Sequence, residues 1–129
     1  MRVLLTNHSL KGVGGSEKWT WAMAREFQRR GWEVEVFTFM LGETSARLQE
    51  AGIRVVTELP PGRAAPCDLI LVNHNTCLHM VQWVQGFKIH TSHGPFNRLE
   101  IPAGGADAYV GVTPEVRAAH ARLGFDLTV

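Results

Sequence analysis

Three short stretches of this chain combine residue types that can do chemistry. The first is Gly12-Val13-Gly14-Gly15-Ser16-Glu17, a glycine-rich turn between the apolar run Arg2-Val3-Leu4-Leu5-Thr6-Asn7 and an amphipathic segment. A strand, a glycine turn and a helix start in that order leave unpaired backbone N–H groups at the positive end of a helix dipole, which suits phosphate or another anion. Glycines there let a ligand approach the backbone with no Cβ in the way. The spacing Gly12-x-Gly14-Gly15 is not the G-x-G-x-x-G dinucleotide fingerprint, so a nicotinamide cofactor is not the first expectation. The second stretch is Asn73-His74-Asn75, whose amides and imidazole can hydrogen-bond the hydroxyls of a polar ligand. The third is His90-Thr91-Ser92-His93-Gly94-Pro95, where an imidazole precedes a Gly-Pro turn and can change charge near neutral pH under small environmental shifts.

Each stretch also has a purely structural reading. Gly14, Gly15 and Ser16 can serve only a tight strand-to-helix turn. Asn73, His74 and Asn75 can cap a helix starting near Thr76, and His93 can simply hydrogen-bond the strand-end backbone. His90, three residues earlier, is expected on the opposite face of a regular strand, in a structural role. His120 falls on the buried stripe of the last helix, and Arg98 and Glu100 read as solvated loop charges. His90 and His93 with His74 or His79 lack a helical His-x-x-x-His and any cysteine partner, so no metal and no cofactor are expected. Cys67 and Cys77 lack metal-motif spacing and read as free thiols in a reducing cytoplasm. Formal net charge is +1 with no dense Lys/Arg run, which argues against nucleic acid. With no apolar leader and no long apolar span, the expectation is a cytoplasmic chain without a transmembrane segment.

The elements that must position these residues follow from periodicity. Residues 2–7 read as a first strand, apolar throughout as a strand covered on both faces would be. A helix is expected over about 16–30, capped by Ser16, with Trp19, Ala22, Met23 and Phe27 as its buried face and Gly31 closing it. Trp21 projects toward Arg25 and Gln28, either packing on a neighbouring element or serving a partner surface. Strands follow at 33–39 and 53–57, the second toward an edge, with a short helix over 42–51 between them. Pro60, Pro61, Gly62 and Pro66 mark a loop before a strand at 68–73 and a helix at 75–85 burying Cys77, Val81 and Val84. Further strands are expected at 88–93 and 107–112. A last helix over 114–123, capped by Thr113-Pro114, would bury Val116, Ala119 and Leu123. Strands alternating with helices through short loops predict one α/β, Rossmann-like domain over residues 1–129, a mostly parallel sheet of about six strands with helices on both faces. Ligands of such sheets bind at the carboxyl ends of the strands, near the switch in strand order. If strands one, four and five are neighbours, the glycine loop with Asn7-His8, residues 73–75 and residues 90–95 line one crevice.

Gly14-Gly15-Ser16-Glu17 opening a helix, Ala24-Arg25-Glu26-Phe27, and Arg30-Gly31-Trp32-Glu33-Val34-Glu35-Val36 together resemble the N-terminus of family-4 retaining glycosyltransferases of the GT-B fold. His93-Gly94-Pro95 resembles that family's histidine-glycine turn, and Ala106 to Val116 resembles the strand and helix start before its interdomain linker. The resemblance extends over nearly the whole chain. It implies sugar transfer from a nucleotide-sugar donor to a hydroxyl acceptor with retention of configuration, without a bound metal. It implies Gly14, Gly15 and Ser16 near the donor diphosphate and His93 as the catalytic residue near the transfer centre; Asn73, His74 and Asn75 are candidates for substrate contact on their side-chain chemistry alone. In the family a second, C-terminal domain holds the donor through two glutamates eight positions apart. Glu35/Glu43 and Glu50/Glu58 match that spacing by number only. The donor-binding domain is thus expected to be absent here, and the chain inactive alone. The alternatives are a non-catalytic subunit pairing with a separate donor domain, to which exposed Trp21 or Trp83 would contribute, and a standalone nucleotide- or phosphate-binding module.

Overall fold

The structure, a computed structural model, describes residues 1–62 and 64–128. Strand β1 (Arg2–Ser9) buries Val3, Leu4, Leu5, Thr6 and Asn7 on both faces, as an interior strand of a covered sheet does. It is followed by α1 (Gly15–Arg29), β2 (Glu33–Met40), α2 (Glu43–Glu50), β3 (Arg54–Val56), β4 (Leu69–Asn73) and α3 (Asn75–Met80). Then come β5 (Phe87–Ser92), a single 3₁₀ turn (Arg98–Glu100), β6 (Ala108–Gly111) and α4 (Pro114–Ala121). The six strands form one sheet in the order β3-β2-β1-β4-β5-β6, and every neighbouring pair is parallel. This is the Rossmann-like strand order, and its direction reverses between β1 and β4. Beyond β6, Thr128 adds an isolated parallel bridge: its N–H donates to the Tyr109 carbonyl at 3.0 Å, and its carbonyl accepts from the Gly111 N–H at 2.7 Å.

Each face of the sheet carries its own core. Val3, Leu5, Val36 and Leu71 meet Ala24 of α1 and Leu48 of α2 on one side. Leu4, Phe37, Ile70 and Val72 meet Cys77 and Leu78 of α3 on the other. Both thiols are free, and burial pushes that of Cys77 up to about 12. Among the described residues no helix is long and apolar enough to cross a membrane.

Several expectations need correction. Ser16 does not cap α1; Gly14 does, in extended backbone, while the Ser16 hydroxyl lies inside the first turn and donates to Glu17 Oε2 at 3.1 Å. The buried stripe of α1 is Thr20 and Ala24, and Ala22 is exposed. Small residues let the helix come close to the sheet, while half-buried Trp19, Met23 and Phe27 wrap its flanks. Trp21 is half-buried against the same core with the Arg25 guanidinium 5.6 Å from its ring, whereas Trp83 is exposed in the turn before β5. The third helix stops at Met80, and Val81 and Val84 are buried from the turn that follows. The last helix ends at Ala121, so Leu123 falls on a turn and is 57% exposed. The Thr113 cap is present, its hydroxyl accepting from the Val116 N–H at 3.3 Å, with Pro114 in the first turn.

One close approach anchors the glycine loop. The Leu10 carbonyl accepts the N–H groups of Thr44 and Ser45 (3.1 and 3.3 Å), and that of Lys11 accepts the N–H of Glu43 at 3.0 Å. The start of the loop is therefore tied to the N-terminus of α2. A Cβ on Gly42 would stand 2.4 Å from the Lys11 Cα, a contact with backbone that no rotamer change can relieve. Gly42→Ala is expected to destabilise the fold by about 1–3 kcal/mol. Urea unfolding checks this, and an unchanged midpoint would mean that the Lys11 backbone yields freely.

Candidate functional site

The carboxyl ends of β1 and β4, with the turn that follows β5, meet the first turns of α1 at the switch point. There the sequence places four polar side chains, and the fold joins them into one chain of hydrogen bonds. The Thr20 hydroxyl donates to the Ser16 carbonyl at 2.9 Å, the usual backward bond of a helical threonine. The same oxygen accepts from Asn7 Nδ2 at 3.1 Å and from Asn73 Nδ2 at 3.2 Å. The other end of the Asn73 amide, Oδ1, lies 2.8 Å from His93 Nε2. Asn73 is fully buried, so its amide is committed at both ends to Thr20 and His93. His93 is half-buried, with its ring edge-on to Trp19 at a centroid distance of 5.1 Å.

A second network ties down the loop that carries His93. The His8 N–H donates to His74 Nδ1 at 3.1 Å, which leaves the His74 proton on Nε2, facing Glu100 Oε1 at 3.2 Å. Glu100 Oε2 accepts the His93 N–H at 2.7 Å. The Ser92 hydroxyl donates to the Glu100 carbonyl at 2.7 Å, and Asn75 Nδ2 donates to the carbonyls of Arg98 and Ile101. His8 Nδ1 meets the Thr76 hydroxyl at 2.8 Å. The capping role open to residues 73–75 is not taken up: His74 is the cap residue of α3 but makes no side-chain cap bond. Its φ of +73° puts a non-glycine residue in the left-handed region, a cost of order 1–3 kcal/mol that is characteristic of functional sites.

Glu100 is a correction to the sequence reading. Expected in solvent, it is 5% exposed and is the acceptor that joins His74 to the His93 backbone. Burial alone would push its carboxyl up, but the hydrogen bonds from His74 and the His93 N–H outweigh it and hold the group below the usual value. His93 is lowered by burial, opposed by the charge of Glu100 and reinforced by His74; His8 is lowered by burial and by His74. His90 occupies the opposite face of the sheet, beside Val72 of β4, as its spacing from His93 predicts. It is fully buried, neither ring nitrogen has a partner among the described residues, and burial pushes it down to about 4. His120 is buried, as expected, with Nε2 3.2 Å from the Gly94 carbonyl. Arg98 is exposed, as expected. Glu35 is ion-paired with Arg54 at 3.3 Å near the amino end of β2, far along the strand from the crevice.

The glycine loop presents Gly14 and Gly15 exposed and Ser16 half-buried at the start of α1. A Cβ on Gly14 would stand 2.8 Å from Glu17 Oε2, whereas one on Gly15 would meet nothing within 4 Å among the described residues. The Glu17 carboxylate therefore lies against the loop, where an incoming anion would meet it. Two participants escaped sequence reasoning. Thr20 carried a signal, a hydroxyl on the alternative helical stripe 20, 24, 27. Glu100 carried none, because only the return of its loop brings it beneath His93.

No family model matches the chain, and no curated protein matches it. Among solved structures it is similar to the crystal structure of Anabaena Alr3699/HepE in complex with UDP-glucose, with a TM-score of 0.74 and 18% identity. The likeness covers 96% of this chain and 41% of that one, so the chain spans less than half the length of that protein. At this identity the likeness shows a shared fold.

Proposed function

We propose that this chain is the acceptor-side half of a glycosyltransferase resembling the family-4 retaining enzymes. With a donor-holding second domain it would transfer a sugar from a nucleotide-sugar to a hydroxyl acceptor. The observation that carries the reading is the convergence of the glycine loop and His93 on one switch point, linked through Thr20 and Asn73. The shared fold with a protein crystallised with UDP-glucose supports it. In this reading Gly14, Gly15 and Ser16 meet the donor diphosphate and His93 faces the transferred sugar. Asn73 and His74, whose polar atoms are already engaged, form the floor of the site, and Asn75 holds the 98–101 loop at its edge. The Glu17 carboxylate opposes tight anion binding by the loop alone, which favours this account over a standalone nucleotide-binding module.

Titration of the purified chain with UDP, GDP and UDP-glucose, by calorimetry and by amide shifts in NMR, tests the reading. The expected result is binding near 1 mM, about −4 kcal/mol, with shifts centred on residues 12–16 and 93. Binding near 1 μM, about −8 kcal/mol, or shifts confined to other surfaces would overturn it. Gly15→Ala separates turn from site. Gly15 is helical with open space at its Cβ, so alanine is expected to leave stability unchanged or raise it by about 0.4–1 kcal/mol. The UDP-glucose shifts should weaken at the same time; undiminished shifts would mean that Gly15 serves only the turn.

A further inference from the structure

The hydrogen-bond chain behind His93 has only one consistent direction. Asn7 Oδ1 accepts from the Ser9 N–H at 3.2 Å, and a backbone N–H can only donate, so Asn7 must present its Nδ2 to Thr20. At the other side of Thr20, the Ser16 carbonyl can only accept, so it takes the single hydroxyl hydrogen. Thr20 Oγ1 is left with lone pairs alone. Whatever Asn73 turns toward it must be the donor, Nδ2, at 3.2 Å, which fixes Oδ1 toward His93. An amide oxygen can only accept, so the imidazole nitrogen 2.8 Å away must carry a hydrogen. Two backbone groups, the Ser9 N–H and the Ser16 carbonyl, thereby set the proton position on a side chain 84 and 77 residues further along.

We infer that Thr20 and Asn73 are positioning residues that hold His93 as the Nε2–H tautomer, so that its Nδ1 offers a lone pair to a hydroxyl of the bound ligand. Nδ1 has no partner among the described residues, and the edge-on Trp19 ring limits rotation of the imidazole. Two titratable groups act on His93 from beneath: Glu100, which binds its backbone N–H, and His74 beyond it. Neither hydrogen-bonds the ring, so neither selects the tautomer. A neutral Nδ1 accepts from a sugar or acceptor hydroxyl and cannot donate to a phosphate oxygen. The ligand chemistry assigned to His93 is therefore an O–H group, while an oxyanion belongs at the glycine loop. This ligand assignment rests on the glycosyltransferase reading; the tautomer and its cause do not.

Long-range ¹H–¹⁵N correlation of the ¹⁵N-histidine-labelled chain without ligand, at neutral pH, reads the tautomer directly, with His93→Gln identifying the resonance. The expected pattern is a single Nε2–H form. An Nδ1–H form, or a mixture, would overturn the proposal. Thr20→Val removes the shared acceptor and should release the Asn73 amide, turning the His93 pattern into a mixture; Thr20→Ser keeps the hydroxyl and should restore the single form. A single Nε2–H form in Thr20→Val would show that Thr20 does not set it. If Thr20→Val does not fold, Asn73→Ser, which replaces the acceptor-only amide oxygen by a hydroxyl able to donate or accept, serves the same comparison. Titration of the wild-type chain with UDP-glucose then tests the ligand. A change at Nδ1 supports the hydroxyl assignment, and binding that leaves Nδ1 unmoved removes it without touching the tautomer result.

Discussion

Glu100→Gln is expected to cost about 2–3 kcal/mol of stability and to loosen the loop that carries His93. The carboxylate accepts at both oxygens, from the His93 N–H at 2.7 Å and from His74 Nε2 at 3.2 Å. Glutamine has one oxygen and one NH₂. With the oxygen toward His93, the NH₂ confronts the His74 Nε2–H, and two donors face each other. Moving the His74 proton to Nδ1 only transfers the conflict, because Nδ1 already accepts the His8 N–H. A nearly isosteric change thus leaves a buried donor unsatisfied wherever the proton is placed. Urea denaturation measures the loss, and the amide shift of His93 reports the loosened loop. A stability matching wild type would show that the two contacts of Glu100 do not hold the loop to His74.

The second large effect is acid sensitivity through His90. Its folded-state value is about 4 against 6.5 for an ordinary histidine. Between those values the unfolded chain binds the proton and the folded chain does not, so stability increases with pH across the window. Lowering the pH from 6.5 to 4 should therefore remove about 3 kcal/mol through His90 alone, at up to about 1.4 kcal/mol per pH unit, with the small remainder lost by about pH 3. His93 and His8, also lowered, add loss of the same sign as pH falls below 6.5, and Glu100, lowered from 4.5, adds its own at more acid pH. His90→Met removes a buried imidazole whose nitrogens have no partner among the described residues. It should leave stability at pH 7 equal or higher and flatten the pH profile. Urea unfolding at intervals from pH 7 to 4 checks both, and parallel wild-type and variant profiles would exclude His90 as the cause.

Much of the fold was legible because the signals were local. Continuous apolar runs at 2–7 and 68–73, glycines ending helices, and Thr113-Pro114 before the last helix each act within a few residues. The opposite facing of His90 and His93 followed from strand alternation alone. The site was half legible. Its stretches could be named and their convergence anticipated from strand order, but not which atoms would meet. The helical stripe of α1 was misread because large apolar residues at 19, 23 and 27 outweigh the small pair Thr20 and Ala24 in any count of hydrophobicity. Close approach to a sheet selects for size instead. Glu100 was misread because a lone acid in a loop is normally solvated, and only a loop closing over its own strand end takes it from water.

The strand order also dictates a timetable for synthesis. β1 can zip onto β2 early, but its other edge waits for β4, whose register joins Val3 to Leu69 and Thr6 to Val72. Some 60 residues separate the end of β1 from the start of β4. At translation rates of about 5–20 residues per second, that edge stays open for roughly 3–12 s. Throughout this interval the nascent chain exposes the unpaired β4-side edge of β1, with Val3, Leu4 and Leu5 along it, an invitation to chaperones and to other nascent chains alike. A truncated chain ending within residues 57–66 should therefore aggregate as it is made.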